Sequence, residues 1–145
     1  MQGLIAKLFA SMSPHMRKLG FKIVSVKGGV CVAQLPYSDD LIGDPVHRIV
    51  HGGAVTSLLD TAGGAAVLSA VGAPISLATL DLRIDYLRRS APGRGIHARV
   101  ECYKTTYNVA FTRGIAFDGD ETDPVASMAA TYMLRTQSMR RSGDS

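Results

Sequence analysis

From Gly52 to Gly72 the chain reads GGAVTSLLDTAGGAAVLSAVG, and Asp60 is the single charged residue in that run. Gly72-Ala73-Pro74 stops a helix, so the pattern predicts one from about Gly53 to Val71. Its length fits a membrane span, yet Gly, Ser, Thr and Asp60 dilute it, and a helix buried in protein is expected. At about 100° per residue, Val55, Leu58, Ala62, Ala65 and Ala66 gather on one side, which should lie on a sheet. Gly53, Thr56, Asp60, Gly64 and Val67 fall opposite. Gly63 and Gly64 each cost roughly 1 kcal/mol relative to Ala in a helix interior, so a sheet, a subunit or a ligand should press against that backbone.

The helix opens on His51-Gly52-Gly53, where Ser, Thr or Asp is the usual cap. The first backbone N–H groups of a helix lack internal partners, and the helix dipole favours negative charge at that end. Two turns on, Asp60 returns to the azimuth of Gly53. A donor for a developing oxyanion and a carboxylate would then share one line along the helix.

Upstream, Leu4, Ile5, Leu8, Phe9 and Met12 have helical spacing, and a second turn, His15 to Leu19, ends at Gly20. Lys27-Gly28-Gly29 joins strands Phe21–Val26 and Val30–Leu35 as a hairpin, and a long loop from Tyr37 to Val50 leads to the helix. After the helix the period becomes 2. Leu80, Leu82, Ile84 and Tyr86 alternate with Thr79, Asp81, Arg83 and Asp85, which should face away from the helix. Ile96 to Tyr103, Val109 to Phe117 and Val125 to Leu134 follow as three more strands, with short turns that imply antiparallel neighbours. The expected organisation is α+β: an N-terminal helical segment (1–20), one domain (21–134) and a disordered polar tail (135–145).

Composition narrows the function. Hydrophobic residues are 46% and charged residues 19% of the 145, as in a globular domain. The net charge of +4 comes from basic residues that are scattered apart from Arg83 to Arg94 and Arg140-Arg141. With four Phe, five Tyr and no Trp there is no aromatic-interleaved basic stripe, so nucleic acid is not the expected partner. A phosphorylated small ligand fits a local positive patch better. Cys31 and Cys102 read as reduced core thiols of a cytoplasmic protein, the N-terminus does not read as a signal peptide, and no Cys or His cluster has metal-ligand spacing.

HGGAVTSLLDTAGG, followed by the strand LATLDLRIDYLR and the turn from Arg89 to Gly95, resembles the hotdog-fold acyl-CoA thioesterases of the PaaI-like branch, related to phenylacetic acid degradation. The resemblance runs from about Leu19 to Leu134. It implies a curved antiparallel sheet of about six strands wrapped around one long central helix, with a short N-terminal helix. It also implies a homodimer or homotetramer with active sites between subunits, acting on an acyl-CoA with no cofactor besides the coenzyme A of the substrate. The family's catalytic acid falls on Asp60, its helix-opening amide on Gly52, and a strand hydroxyl on Thr79. His51 and Gly53 adjoin the substrate. Several members carry an Asn in the loop before the His-Gly-Gly; here Pro45 stands at the matching position, with Asp44 and His47 nearby.

The chemistry follows from the residues as well. Thioester hydrolysis needs an oxyanion donor, which a helix-start N–H supplies, and a group that activates water or attacks the carbonyl; Asp60 can do either. Thr79 is placed to hold the water. His51 reads as a structural hydrogen-bonding residue before a base. Arg88 and Arg89, with Arg83 and Arg94 as further candidates, are expected near the coenzyme A phosphates. Two other readings compete: a non-catalytic acyl-CoA-binding subunit, for which Asp60 is superfluous, and an acyl-thioester hydratase or dehydratase, for which His51 and Asp60 are poorly spaced.

Overall fold

A computed structural model of the chain describes residues 3–5, 7 and 13–135. Residues 8–12 of the expected first helix and the expected tail beyond Arg135 lie outside the described residues. Helix α1 (Pro14–Leu19) has Ser13 as its cap, Pro14 in its first turn, and Gly20 at φ 80° as its stop. Strands β1 (Lys22–Lys27) and β2 (Val30–Leu35) form the expected hairpin, whose turn places Gly28 and Gly29 at φ 58° and 80°, both left-handed. The long loop after β2 is partly ordered. It holds a short 3₁₀ turn (Asp39–Leu41) and a two-stranded ribbon, β3 (Ile42–Asp44) with β4 (Ile49–Val50). Helix α2 (Gly52–Val71) follows, then β5 (Ser76–Tyr86), β6 (Ile96–Thr105), β7 (Val109–Phe117) and β8 (Ala126–Arg135).

Six strands make one antiparallel sheet in the order β1-β2-β6-β7-β8-β5, and α2 packs against all six. The last four strands are not a simple meander. β5 lies at the far edge beside β8, and residues 87–95 carry the chain back across the sheet so that β6 pairs with β2.

Alanines set the spacing between helix and sheet. Ala62, Ala65 and Ala66 of α2 and Ala33, Ala98, Ala110 and Ala116 of the strands are fully buried, so the helix sits close to the strands. Leu58 and Leu59 are fully buried as well, each worth about 1.5–3 kcal/mol of burial. The sheet curls around more of the helix than a flat layer would. Gly64 and Val67, expected on the side away from it, are therefore buried within the protomer. Helix α2 has the length and hydropathy of a membrane span, but 56% of its apolar window is buried inside this fold.

The residue pressing on Gly63 comes from β8. A Cβ at Gly63 would collide with the Tyr132 hydroxyl and stand 3.0 Å from the Met128 methyl. Gly63→Ala should therefore lower the unfolding free energy by about 1–3 kcal/mol despite the better helix propensity of Ala. Urea denaturation of the two proteins checks this.

Candidate active site

The start of α2 is capped by His51, whose Nδ1 accepts the Gly53 N–H at 2.8 Å. The ring proton therefore sits on Nε2. The His51 carbonyl takes the N–H groups of Ala54 and, at 3.4 Å, Val55. Of the two glycine donors expected to be open, Gly53 is thus engaged, and only the Gly52 N–H has no acceptor among the described residues. The Gly52 carbonyl accepts from the Tyr86 hydroxyl at 2.7 Å and the Thr56 hydroxyl at 3.1 Å, and those two hydroxyls are 2.8 Å apart. His51 makes no contact with Asp60.

Two turns further on, Asp60 is half-buried. Its Oδ1 accepts the Thr79 hydroxyl at 2.9 Å and lies 3.2 Å from the Tyr132 hydroxyl, which also donates to the Asp60 carbonyl at 2.8 Å. Oδ2 has no partner among the described residues. Burial, and then the Asp60 charge, push the Tyr132 phenol far above its ordinary range, so it stays a donor.

Strict alternation would have turned Thr79 away from the helix. The pairing of β5 with β8 slips between Thr79 and Asp81, leaving Leu80 as an extra residue that is 51% exposed. This bulge switches the parity of the strand. Thr79 and, beyond the bulge, Leu82 and Ile84 all turn to the helix side, and Thr79 stands directly across from Tyr132. Tyr132 itself looks like an ordinary core position in the sequence. Its one trace there is Gly63, a glycine inside a helix that something must approach.

A cleft of about 380 Å³ opens beside the helix start, lined among others by Gly52, Val55, Tyr86, Arg88 and Arg89. Asp60 is not part of its lining. The two arginines differ sharply. Arg88 is committed to structure: its guanidinium grips Asp118 with two hydrogen bonds at 2.7 and 3.1 Å, donates to the Asp123 and Arg89 carbonyls, and has Nε 3.2 Å from the Asp123 carboxylate. Its two terminal nitrogens are engaged within the protein, while it still lines the cleft. Arg89 is exposed and has no ion pair among the described residues, while Arg83 pairs with Asp85.

The Arg88 pair has a measurable consequence. Arg88, with help from the Ala91 N–H at 2.6 Å, holds the buried Asp118 carboxyl down to about 2 against an ordinary value near 3.9. A carboxyl lowered by folding stabilises fully above its unfolded pKa and ceases to do so as pH falls through the folded one. About 2 kcal/mol should therefore disappear between about pH 4 and pH 2. Asp118→Asn should lack that pH-dependent increment, which urea midpoints across the range would read.

In the ribbon, Asp44 accepts from the N–H groups of Val46 and His47 and lies 2.8 Å from His47 Nδ1, and its pKa is lowered chiefly by that side-chain bond. Pro45 offers no side-chain donor where the resembling family often has an amide. Among the described residues no three His, Cys, Asp or Glu side chains converge as metal ligands.

Known proteins share this arrangement of sheet and helix. The thioesterase superfamily pattern matches residues 47–125. The medium/long-chain acyl-CoA thioesterase YigI of Escherichia coli K12 is 30% identical over 90% of this chain and 92% of its own. The VNG_1336C protein of Halobacterium salinarum is 40% identical, over 53% of this chain and about half (51%) of its own length. Among solved structures, a Pseudomonas aeruginosa protein superposes with a TM-score of 0.82 at 36% identity, covering 90% of this chain and 96% of that one. A mutant of the phenylacetic acid degradation protein PaaI from Thermus thermophilus does so at 0.71 and 26%, covering 83% and 98%. The chain belongs to the thioesterase superfamily and has its hotdog fold.

Proposed function

We propose that the protein hydrolyses the thioester bond of medium- and long-chain acyl-coenzyme A, in a site completed by a second copy of the chain. The observation that carries this reading is the Asp60 carboxylate, with one oxygen held by Thr79 and Tyr132 and the other unpartnered. A half-buried acid without a paired cation costs stability, and sequences commonly carry such a cost at functional sites.

Distance supports the second copy. Eight residues separate Gly52 from Asp60 on one helix, about 12 Å of axial rise. A reacting carbonyl must lie about 3 Å from its oxyanion donor and about 3–3.5 Å from its attacking group. That spacing favours a thioester held between Asp60 and Thr79 of one copy and the Gly52 N–H of the partner subunit. The long edge strand β5 supports such pairing. Its outer side has no paired strand among the described residues, and Leu80, Tyr86 and Leu87 around it are each more than half exposed. An unprotected edge of this kind invites another strand.

In the reaction, water adds to the carbonyl carbon as Asp60 takes its proton, and the oxygen, now negative, is stabilised by the Gly52 N–H. The tetrahedral species collapses, the carbon–sulfur bond breaks, and the departing thiolate of coenzyme A recovers the proton. Direct attack by Asp60 would give an anhydride that water then cleaves; both routes use the free carboxylate oxygen. Arg89, in the cleft beside Gly52, is the arginine available to the coenzyme A phosphates. The full-length likeness to YigI supports the acyl length. A cytoplasmic setting is part of the same proposal, consistent with two free thiols, one of which, Cys31, is buried with its pKa pushed up to about 12.

The test is thiol release from a panel of acyl-CoA esters, short-chain, medium-chain, long-chain and phenylacetyl. Highest kcat/KM on medium or long chains is the expected result. Absence of release from every ester, with acyl-CoA still bound, would replace the enzyme by a binding subunit.

A further inference from the structure

Tyr132 lies on the sheet strand farthest in sequence from the helix motif, yet its hydroxyl touches Asp60 at both carbonyl and carboxylate. It is 2% exposed and reaches the helix through the gap left by Gly63, where any Cβ would displace it. Thr79, its cross-strand partner, delivers a second hydroxyl to the same carboxylate oxygen. No charged group among the described residues pairs with Asp60: from β5 it meets Thr79, from β8 Tyr132, and the neighbour behind Tyr132 is the buried Thr112. The Thr79 hydroxyl on Oδ1, and the Tyr132 hydroxyl shared between Oδ1 and the Asp60 carbonyl, therefore set the aim of the acid.

We propose that Tyr132 is a positioning residue for Asp60: its hydroxyl, shared between the Asp60 carbonyl and Oδ1, anchors that side chain together with Thr79, so that Oδ2 is the oxygen that does the chemistry. The assignment rests on the thioesterase reading, since it concerns the same carboxylate. Tyr132→Phe keeps the ring in its slot and deletes only the hydroxyl. Its kcat should fall about tenfold, because the carboxylate is no longer held in line, with KM within about twofold. Thr79→Val should lower kcat in the same way. A residue that merely fills the core would change the melting temperature and leave kcat where it was.

The deciding experiment pairs those kinetics with NMR relaxation of the Asp60 side-chain carbon at one pH, in aspartate-labelled wild type and Tyr132→Phe, with Asp60→Asn to identify the signal. A more mobile side chain in Tyr132→Phe is the expected result. Unchanged relaxation in folded Tyr132→Phe overturns the assignment, as does an unchanged kcat. If the Phe variant does not fold, Thr79→Val carries the measurement of Oδ1: unchanged relaxation there would deny that these hydroxyls hold the acid. The relaxation needs no substrate, so wild type that releases no thiol would defeat the thioesterase reading while this result stood or fell by itself.

Discussion

Asp60→Asn should lower kcat for thiol release by about 10²–10⁴-fold, the range spanned by loss of a general base. The substitution is nearly isosteric. The Asn carbonyl oxygen can still accept from Thr79 and Tyr132, so both donors that hold the wild-type side chain keep their partner. Stability should stay within about 1 kcal/mol of wild type, and KM should change little, because the interaction removed acts in the transition state. Steady-state kinetics with a chromogenic thiol reagent, beside a urea melt, separates lost chemistry from lost folding. Thiol release equal to wild type would remove Asp60 from the mechanism.

The second large effect concerns one N–H. Gly52 is the first residue of α2, the position where proline is tolerated best in a helix. His51 before it has φ −61° and ψ 135°, the extended conformation that a following proline favours. Gly52→Pro therefore deletes the proposed oxyanion donor with little damage to the helix. Loss of one such donor commonly costs about 10²–10³ in kcat. Gly52→Ala is the matched control. It also adds a Cβ, 3.2 Å from the Tyr86 hydroxyl, but it keeps the N–H. Tyr86 is 55% exposed and has room to shift, so the Ala variant should lose far less activity than the Pro variant. Equal losses in the two would assign the effect to crowding at Tyr86 and not to the amide.

The sequence carried the large elements because each rests on a local rule. The glycine turn at Gly28-Gly29, the caps at Ser13 and Gly20, and the alternation in β6 and β8 all act within a few residues. What escaped depends on pairing between distant segments. Periodicity has no signal for the single inserted residue at Leu80, yet that residue decides whether Thr79 reaches Asp60. The length of the connection from 87 to 95 suggested a hairpin, whereas β5 and β6 have two strands between them. The charge of Arg88 was legible but not its partners: Asp118 and Asp123 lie about thirty residues away in sequence. Likewise the His-Gly-Gly motif announced an open helix start, but only the structure assigns Gly53 to the His51 ring and leaves Gly52 free.

The most direct test of a site shared between copies is complementation of two inactive proteins. Asp60→Asn and Gly52→Pro chains are co-expressed with different tags, and the mixed dimer is purified on both. In a two-fold dimer whose sites each take Gly52 from one chain and Asp60 from the other, one of the two sites is then wholly wild type. The mixed dimer should recover about half of the wild-type rate, far above either parent. A mixed dimer as inactive as its parents would contradict the account, because it would mean that Gly52 and Asp60 of the same chain act on one thioester.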